Sequence, residues 1–129
     1  MNIKETTVIE GGVKYTVYTY SNGRKEWWVN GQRHRIDGPA IEGADGSKEW
    51  WLNDKLHRTD GPAVELDGGY KEWLLNGTCH RTDGPAIECT NGSKGWFLNG
   101  KEYTKPNYYK ELFKQDLITE EQCFLELID

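Results

Sequence analysis

Long apolar runs are missing from this chain. Hydrophobic residues make up only 36% of its 129 residues, and there is a single methionine. No segment approaches the roughly 20 consecutive apolar residues of a membrane helix, so no membrane span is expected. The first ten residues, MNIKETTVIE, hold no apolar core for an export signal, which points to a cytoplasmic protein. Basic charge is lacking as well. Residues 24–103 carry 11 Lys/Arg against 13 Asp/Glu, residues 104–129 carry 3 against 6, and the net charge is −5. Without a basic stripe to collect phosphates, nucleic-acid binding is disfavoured. The three cysteines, Cys79, Cys89 and Cys123, are odd in number and not at metal-ligand spacing. They read as buried reduced thiols of a reducing compartment.

What the chain does have is aromatic area and a strict period. Aromatic residues reach 12% with six Trp, and rings that bury large areas let few positions carry a core. Trp27, Trp50, Trp73 and Trp96 stand 23 residues apart, as do His34, His57 and His80, and Pro39, Pro62 and Pro85. Such a period denotes stacked units, none able to bury its apolar face alone. The unit reads K-E-W-W-V/L-N-G-x-x-H-R-x-D-G-P-A-I/V-E, then a second turn. Asn30-Gly31, Asn76-Gly77 and Asn99-Gly100 are tight-hairpin dipeptides, with Asn53-Asp54 in the second copy. Each unit is therefore a hairpin: a Trp-rich strand such as 48–53, then a longer returning strand such as 55–66. The Asp60-Gly61-Pro62 step inside the latter calls for a bulge or bend, because proline donates nothing to a ladder.

The expected fold is mainly β: an antiparallel hairpin meander forming one open sheet of about seven to nine strands, with an α-helical C-terminal cap. Residues 1–104 form the β domain, with a half-unit at 13–23, full units at 24–46, 47–69 and 70–92, and a partial one at 93–104. Residues 105–129 form the cap. Pro106 opens a helical stretch over 107–115, and Thr119-x-x-Gln122 is a capping box opening a second helix through Ile128. Leu112, Phe113, Leu117, Ile118, Phe124, Leu125 and Ile128 would give this pair its apolar side.

Strand alternation sorts the aromatics onto two faces. Trp27, Val29, Trp50, Leu52, Trp73, Leu75, Trp96 and Leu98 form an apolar face, expected to be core. The opposite face mixes Glu26, Trp28 and Asn30 with Glu49, Trp51 and Asn53. Further along it carries Leu74 and Phe97, which the helices are expected to cover, leaving Trp28 and Trp51 exposed. Rings rimmed by charges and amides are the composition of a protein interface. Trp28, Trp51, Glu26, Glu49, Asn30 and Asn53 are therefore the expected binding surface.

The spacing Trp28, Gly31, His34 resembles the MORN repeat, in which a Trp is followed by Gly three residues later and His six later. Trp51 and His57 match in the second copy, where Asp54 replaces the Gly. Gly77 and His80 match in the third, where Leu74 replaces the ring. The chain thus resembles a divergent MORN-like protein over residues 13–104, and the H-R-x-D-G-P-A string is similar to repeats of phage and bacterial proteins. The resemblance implies a hairpin meander used for binding, in some cases as an inhibitory partner. It brings no catalytic residues.

Chemistry is otherwise sparse. Equivalent histidines in adjacent units lie roughly 9–10 Å apart by strand spacing, too far to share one zinc ion, so no metal or cofactor is expected. Ser21, Ser47 and Ser93 all sit at turns, unpaired with any base, and no enzymatic role is expected. Arg35/Asp37, Arg58/Asp60 and Arg81/Asp83 are expected to be ion pairs that fix the turn before each Pro. Each His is expected to bond within its own unit or stack on a Trp. The expected function is non-enzymatic binding of a host or cognate protein, or of a second copy of the chain. The alternative is a small ligand or glycan stacked on Trp28 and Trp51.

Overall fold

The computed structural model describes residues 2–128. Two long strands, β1 (Ile3–Glu10) and β2 (Val13–Tyr20), open the chain as a hairpin paired along its whole length. The connecting Gly11 and Gly12 have φ of 58° and 80°, the left-handed conformation a two-residue primed turn demands. Then follow β3 (Lys25–Val29), β4 (Gln32–Arg33), β5 (Ile41–Glu42), β6 (Lys48–Glu49), β7 (Trp51–Leu52) and β8 (Lys55–Leu56). β9 (Val64–Glu65), β10 (Lys71–Glu72), β11 (Leu74–Leu75), β12 (Thr78–Cys79) and β13 (Ile87–Glu88) continue the series. The chain closes with β14 (Lys94–Leu98), β15 (Lys101–Tyr103), α1 (Lys105–Lys114) and α2 (Glu120–Leu127).

The architecture is an open antiparallel meander with a helical cap. Eleven strands form one sheet in the order β1-β2-β3-β5-β6-β9-β10-β13-β14-β15, with β4 paired to β3. The hairpins β7–β8 and β11–β12 peel away from it. The strand count exceeds the expected seven to nine for three reasons. Ile3–Glu10 is a strand that no repeat pattern marks, and the Trp-rich strands divide at Trp50 and Trp73. There the tryptophan N–H donates to the carbonyl of Ala63 or Ala86, while its own carbonyl accepts from His57 or His80. Residues before it pair in the large sheet and residues after it pair in the hairpin. The returning segment likewise is not one strand over 55–66: Lys55–Leu56 and Val64–Glu65 are separated by an irregular stretch holding the Asp-Gly-Pro step.

The turn residues behave as their chemistry requires. Asn30, Asn76 and Asn99 take φ near 50° and are each followed by a left-handed glycine. Asn53 and Asp54, at 50° and 65°, do the same without one. Tyr18 of β2 pairs with Glu26 as Ile41 pairs with Glu49 one unit later.

Three apolar clusters run along the molecule. Tyr15, Val17, Trp27 and Ala40 form one beneath the first hairpin; Ala63, Val64 and Leu74 form the middle one. Leu98, Tyr108, Tyr109, Leu112 and Cys123 join the last strands to the helices. Thr104 caps α1 by accepting from the Asn107 N–H at 3.3 Å. Thr119 and Gln122 complete a reciprocal capping box on α2 at 3.1 and 2.8 Å. The apolar side expected of the helix pair is only partly used. Leu112 is buried and Ile118 packs inward, but Phe113, Leu117, Phe124, Leu125 and Ile128 are exposed. The sheet end is filled by α1 through its tyrosines, so α2 needs to bury little beyond Cys123 and Leu127. Cys79 and Cys89 are half-buried, leaving Cys123 the one buried thiol among the three.

Candidate functional site

The H-R-x-D-G-P-A string builds one side of the sheet. In each copy the arginine folds back so that its guanidinium lies over the tryptophan of its own unit. The distances to the ring centre are 3.6 Å for Arg35 on Trp27 and 3.8 Å for both Arg58 on Trp50 and Arg81 on Trp73. The same guanidinium donates to the carbonyl of Pro39, Pro62 or Pro85 at 2.9–3.2 Å. The glycine between Asp and Pro is what admits it. A Cβ on Gly61 would lie 2.8 Å from the Arg58 Cζ and 3.0 Å from its Nη1, and Gly38 and Gly84 face their arginines equally closely.

The expected ion pairs hold in two copies of three. Arg58 reaches Asp60 at 3.0 Å and Arg81 reaches Asp83 at 2.8 Å. Arg35 instead takes Glu10 of β1 with two hydrogen bonds of 3.0 Å, because the first hairpin lies alongside it. That fork, chiefly its hydrogen bonds, holds the Glu10 carboxyl below the usual carboxylate range.

The histidines join neighbouring units rather than serving their own. His34 Nδ1 accepts from the Asn53 N–H at 3.0 Å, His57 from Asn76 at 2.9 Å and His80 from Asn99 at 2.9 Å. Each Nδ1 is therefore committed to an asparagine exactly one unit on in the series, at the apex of the next hairpin.

On the opposite side, the six residues expected to form the binding surface divide. Asn30 and Asn53 are exposed at their turn apices. Trp28 and Trp51 are half-buried, not open, and the Arg33 guanidinium sits between them at 5.1 Å from each ring. Their indole N–H groups donate to Glu26 at 3.2 Å and Glu49 at 2.9 Å. Glu26 is buried and also accepts from Tyr20 and Arg24. Burial pushes its carboxyl up, but the combined bonds from Arg24, Trp28 and Tyr20 outweigh it and hold the group ionised below the usual range. The acids of this face are thus spent on the chain's own donors. Leu74 is buried by Ala63 and Val64, and the helices lie on the Trp96/Leu98 side instead. Beside Trp28, a cavity of about 460 Å³ opens between β2 and β3 under Tyr18, Tyr20 and Glu26.

The face read from sequence as continuous core is open in its middle. Trp50 and Trp73 are half-buried. Trp50 floors a groove of about 790 Å³, walled by the Arg35–Pro39 turn on one side and His57–Asp60 on the other. Trp73 floors an equivalent groove of about 470 Å³ between Arg58–Gly61 and His80–Asp83. Every wall residue of the second has its counterpart 23 positions earlier in the first, and the segment Arg58–Asp60 is shared by both. Alternation sets Trp50 with Leu52 and Trp73 with Leu75 on one face, and each pair does line one groove; what alternation leaves open is whether another element covers that face. The signal that could have found the grooves is the H-R-x-D-G-P-A string itself, whose residues pack back on the tryptophans.

No family model, curated protein or solved structure matches the chain. Among the described residues no helix is long and apolar enough to cross a membrane.

Proposed function

We propose that the chain is a non-enzymatic protein-binding module of MORN-like type, and that its recognition surface is the pair of grooves floored by Trp50 and Trp73. The observation that carries this reading is the tandem groove itself. Two equivalent concave sites adjoin, each with an indole floor and a rim of Thr, Asp and His, the mixture of aromatic centre and polar edge found where proteins meet. The residues that could do chemistry there are engaged already: the arginines by proline carbonyls and acids, and each histidine Nδ1 by an asparagine N–H.

Thr59 is exposed and lines both grooves, so Thr59→Arg blocks both without touching the core. Immobilised wild-type protein should retain a stoichiometric partner that Thr59→Arg loses and that Trp28→Ala/Trp51→Ala keeps. Loss in the double variant alone would return the binding surface to the Glu26/Glu49 side, and equal retention by all three would overturn both. Self-association is read in the same preparation from its mass in solution.

The cavity beside Trp28 supports a second reading, a small ligand or glycan held against Tyr18, Tyr20 and Trp28. Trp fluorescence titrated with simple sugars in wild type and Tyr18→Ala tests it; a quench lost in the variant is the expected result.

A further inference from the structure

The four ladder tryptophans are finished in two different ways. At the ends, buried tyrosines from the caps sit on them. Tyr15, fully buried, meets Trp27 edge-on with ring centres 5.3 Å apart, and its hydroxyl oxygen accepts from the Ile36 N–H at 3.0 Å. Tyr108, also fully buried, packs on Trp96 at 5.1 Å; its hydroxyl donates to the Arg81 carbonyl and accepts from the Gly84 N–H at 3.4 Å. Trp96 and the Arg81–Gly84 turn stand in the same relation as Trp73 and the Arg58–Gly61 turn, one unit on. Helix α1 has therefore seated its tyrosine in the third groove of the series.

Among the described residues no such ring packs on Trp50 or Trp73 in the middle. The backbone groups that hold the two cap phenols have counterparts in the open grooves. For Trp50 these are the Arg35 carbonyl and the Gly38 and Thr59 N–H groups; for Trp73 they are the Arg58 carbonyl and the Gly61 and Thr82 N–H groups. Among the described residues none of these six takes a hydrogen bond within the chain. The stacked arginine is no obstacle, since Trp27 carries Arg35 at 3.6 Å and Tyr15 together.

Resting on the protein-binding reading above, we propose that each open groove receives a tyrosine side chain of the partner, and that the partner segment is an extended peptide with tyrosines three residues apart. The spacing follows from the ladder. Successive tryptophans are two strands apart, about 9.4–9.8 Å. Three residues of polyproline II rise about 9.3 Å, whereas alternate residues of a β-strand repeat near 6.7 Å and two turns of α-helix rise about 10.8 Å. Only the first keeps two rings in register with two grooves. Asp60, on the wall the two grooves share, is paired with Arg58 yet 83% exposed at the side chain, and its outward oxygen favours a basic residue between the tyrosines.

The probe is the synthetic peptide Pro-Tyr-Pro-Lys-Tyr-Pro, followed through the indole N–H signals of 15N-labelled protein. Binding should shift the Trp50 and Trp73 signals and spare those of Trp28 and Trp51. Replacing both tyrosines with phenylalanine should weaken binding about tenfold by removing the hydroxyl, and spacing them four apart should weaken it similarly. Thr59→Arg, checked for an unchanged melting temperature, should abolish the shifts. Equal binding of the phenylalanine or four-spaced peptide, or shifts confined to Trp28 and Trp51, overturns the assignment. So does an absence of binding. If the peptide fails while Thr59→Arg still loses a captured protein, the tyrosine assignment alone falls. If Thr59→Arg loses nothing, the groove reading falls with it.

Discussion

Gly61→Ala isolates the part played by the guanidinium. Gly61 has no left-handed backbone, so alanine brings no torsional strain there. Its Cβ would lie 2.8 Å from the Arg58 Cζ, closer than such atoms can approach, and its three nearest neighbours all belong to that guanidinium. The arginine must leave its place. It then gives up the hydrogen bond to the Pro62 carbonyl at 3.0 Å, about 1.5 kcal/mol for a charged donor. It also gives up the stacking on Trp50 at 3.8 Å, about 1 kcal/mol at a partly buried site. The pair with Asp60 adds close to nothing, since that carboxylate is 83% exposed and screened. The expected cost is about 2.5 kcal/mol, or about 9 °C in melting temperature for a chain of this length. Urea unfolding of four proteins, wild type, Gly61→Ala, Arg58→Ala and the double variant, checks it. In the Arg58→Ala background the alanine should cost less than about 0.5 kcal/mol, because nothing then occupies the space. Equal costs in both backgrounds would refute the account of why the motif contains glycine.

Three further outcomes are expected. Because Arg35 depresses the Glu10 carboxyl, their pair contributes fully above the ordinary carboxylate range and is lost as pH falls through the lowered value; the stability gap between wild type and Glu10→Gln should close on acidification, and a gap constant from pH 7 to 3 would contradict it. Burial first, and then its bond to Glu72, push the Cys79 thiol up to about 11, so alkylation by iodoacetamide at pH 8 should be slow and should quicken several-fold in Glu72→Gln. His57→Phe removes the acceptor for the Asn76 N–H, which should cost about 1 kcal/mol and speed hydrogen exchange at that amide while leaving the Asn53 amide unchanged.

Much of the fold was legible because it is local. The Asn-Gly dipeptides set their own left-handed turns, Thr119 and Gln122 cap α2 across three residues, and the Arg58/Asp60 and Arg81/Asp83 pairs span two. The site was less legible. Alternation along 48–53 puts Trp50 and Leu52 on one face, where they line one groove, but a local pattern does not say which stretch of a face a distant element covers. Nothing in the period marks β1 as a strand, so neither its place beside Arg35 nor the exchange of Asp37 for Glu10 could be read.

The 23-residue period by itself determined the hairpin meander, its turns and the recurrence of one Trp–Arg–Gly–Pro arrangement, since these depend on residues within a single unit. Only the tertiary structure decided which tryptophans are covered. That depends on what the two ends of the chain bring: Tyr15 from the first hairpin packs on buried Trp27 and Tyr108 from the helix packs on half-buried Trp96, whereas among the described residues no aromatic ring packs on Trp50 or Trp73, which carry the arginine of their own unit. Identical neighbours in sequence thus become closed sites at the ends of the ladder and open ones in its middle, because a repeating surface is completed only where the repeat stops.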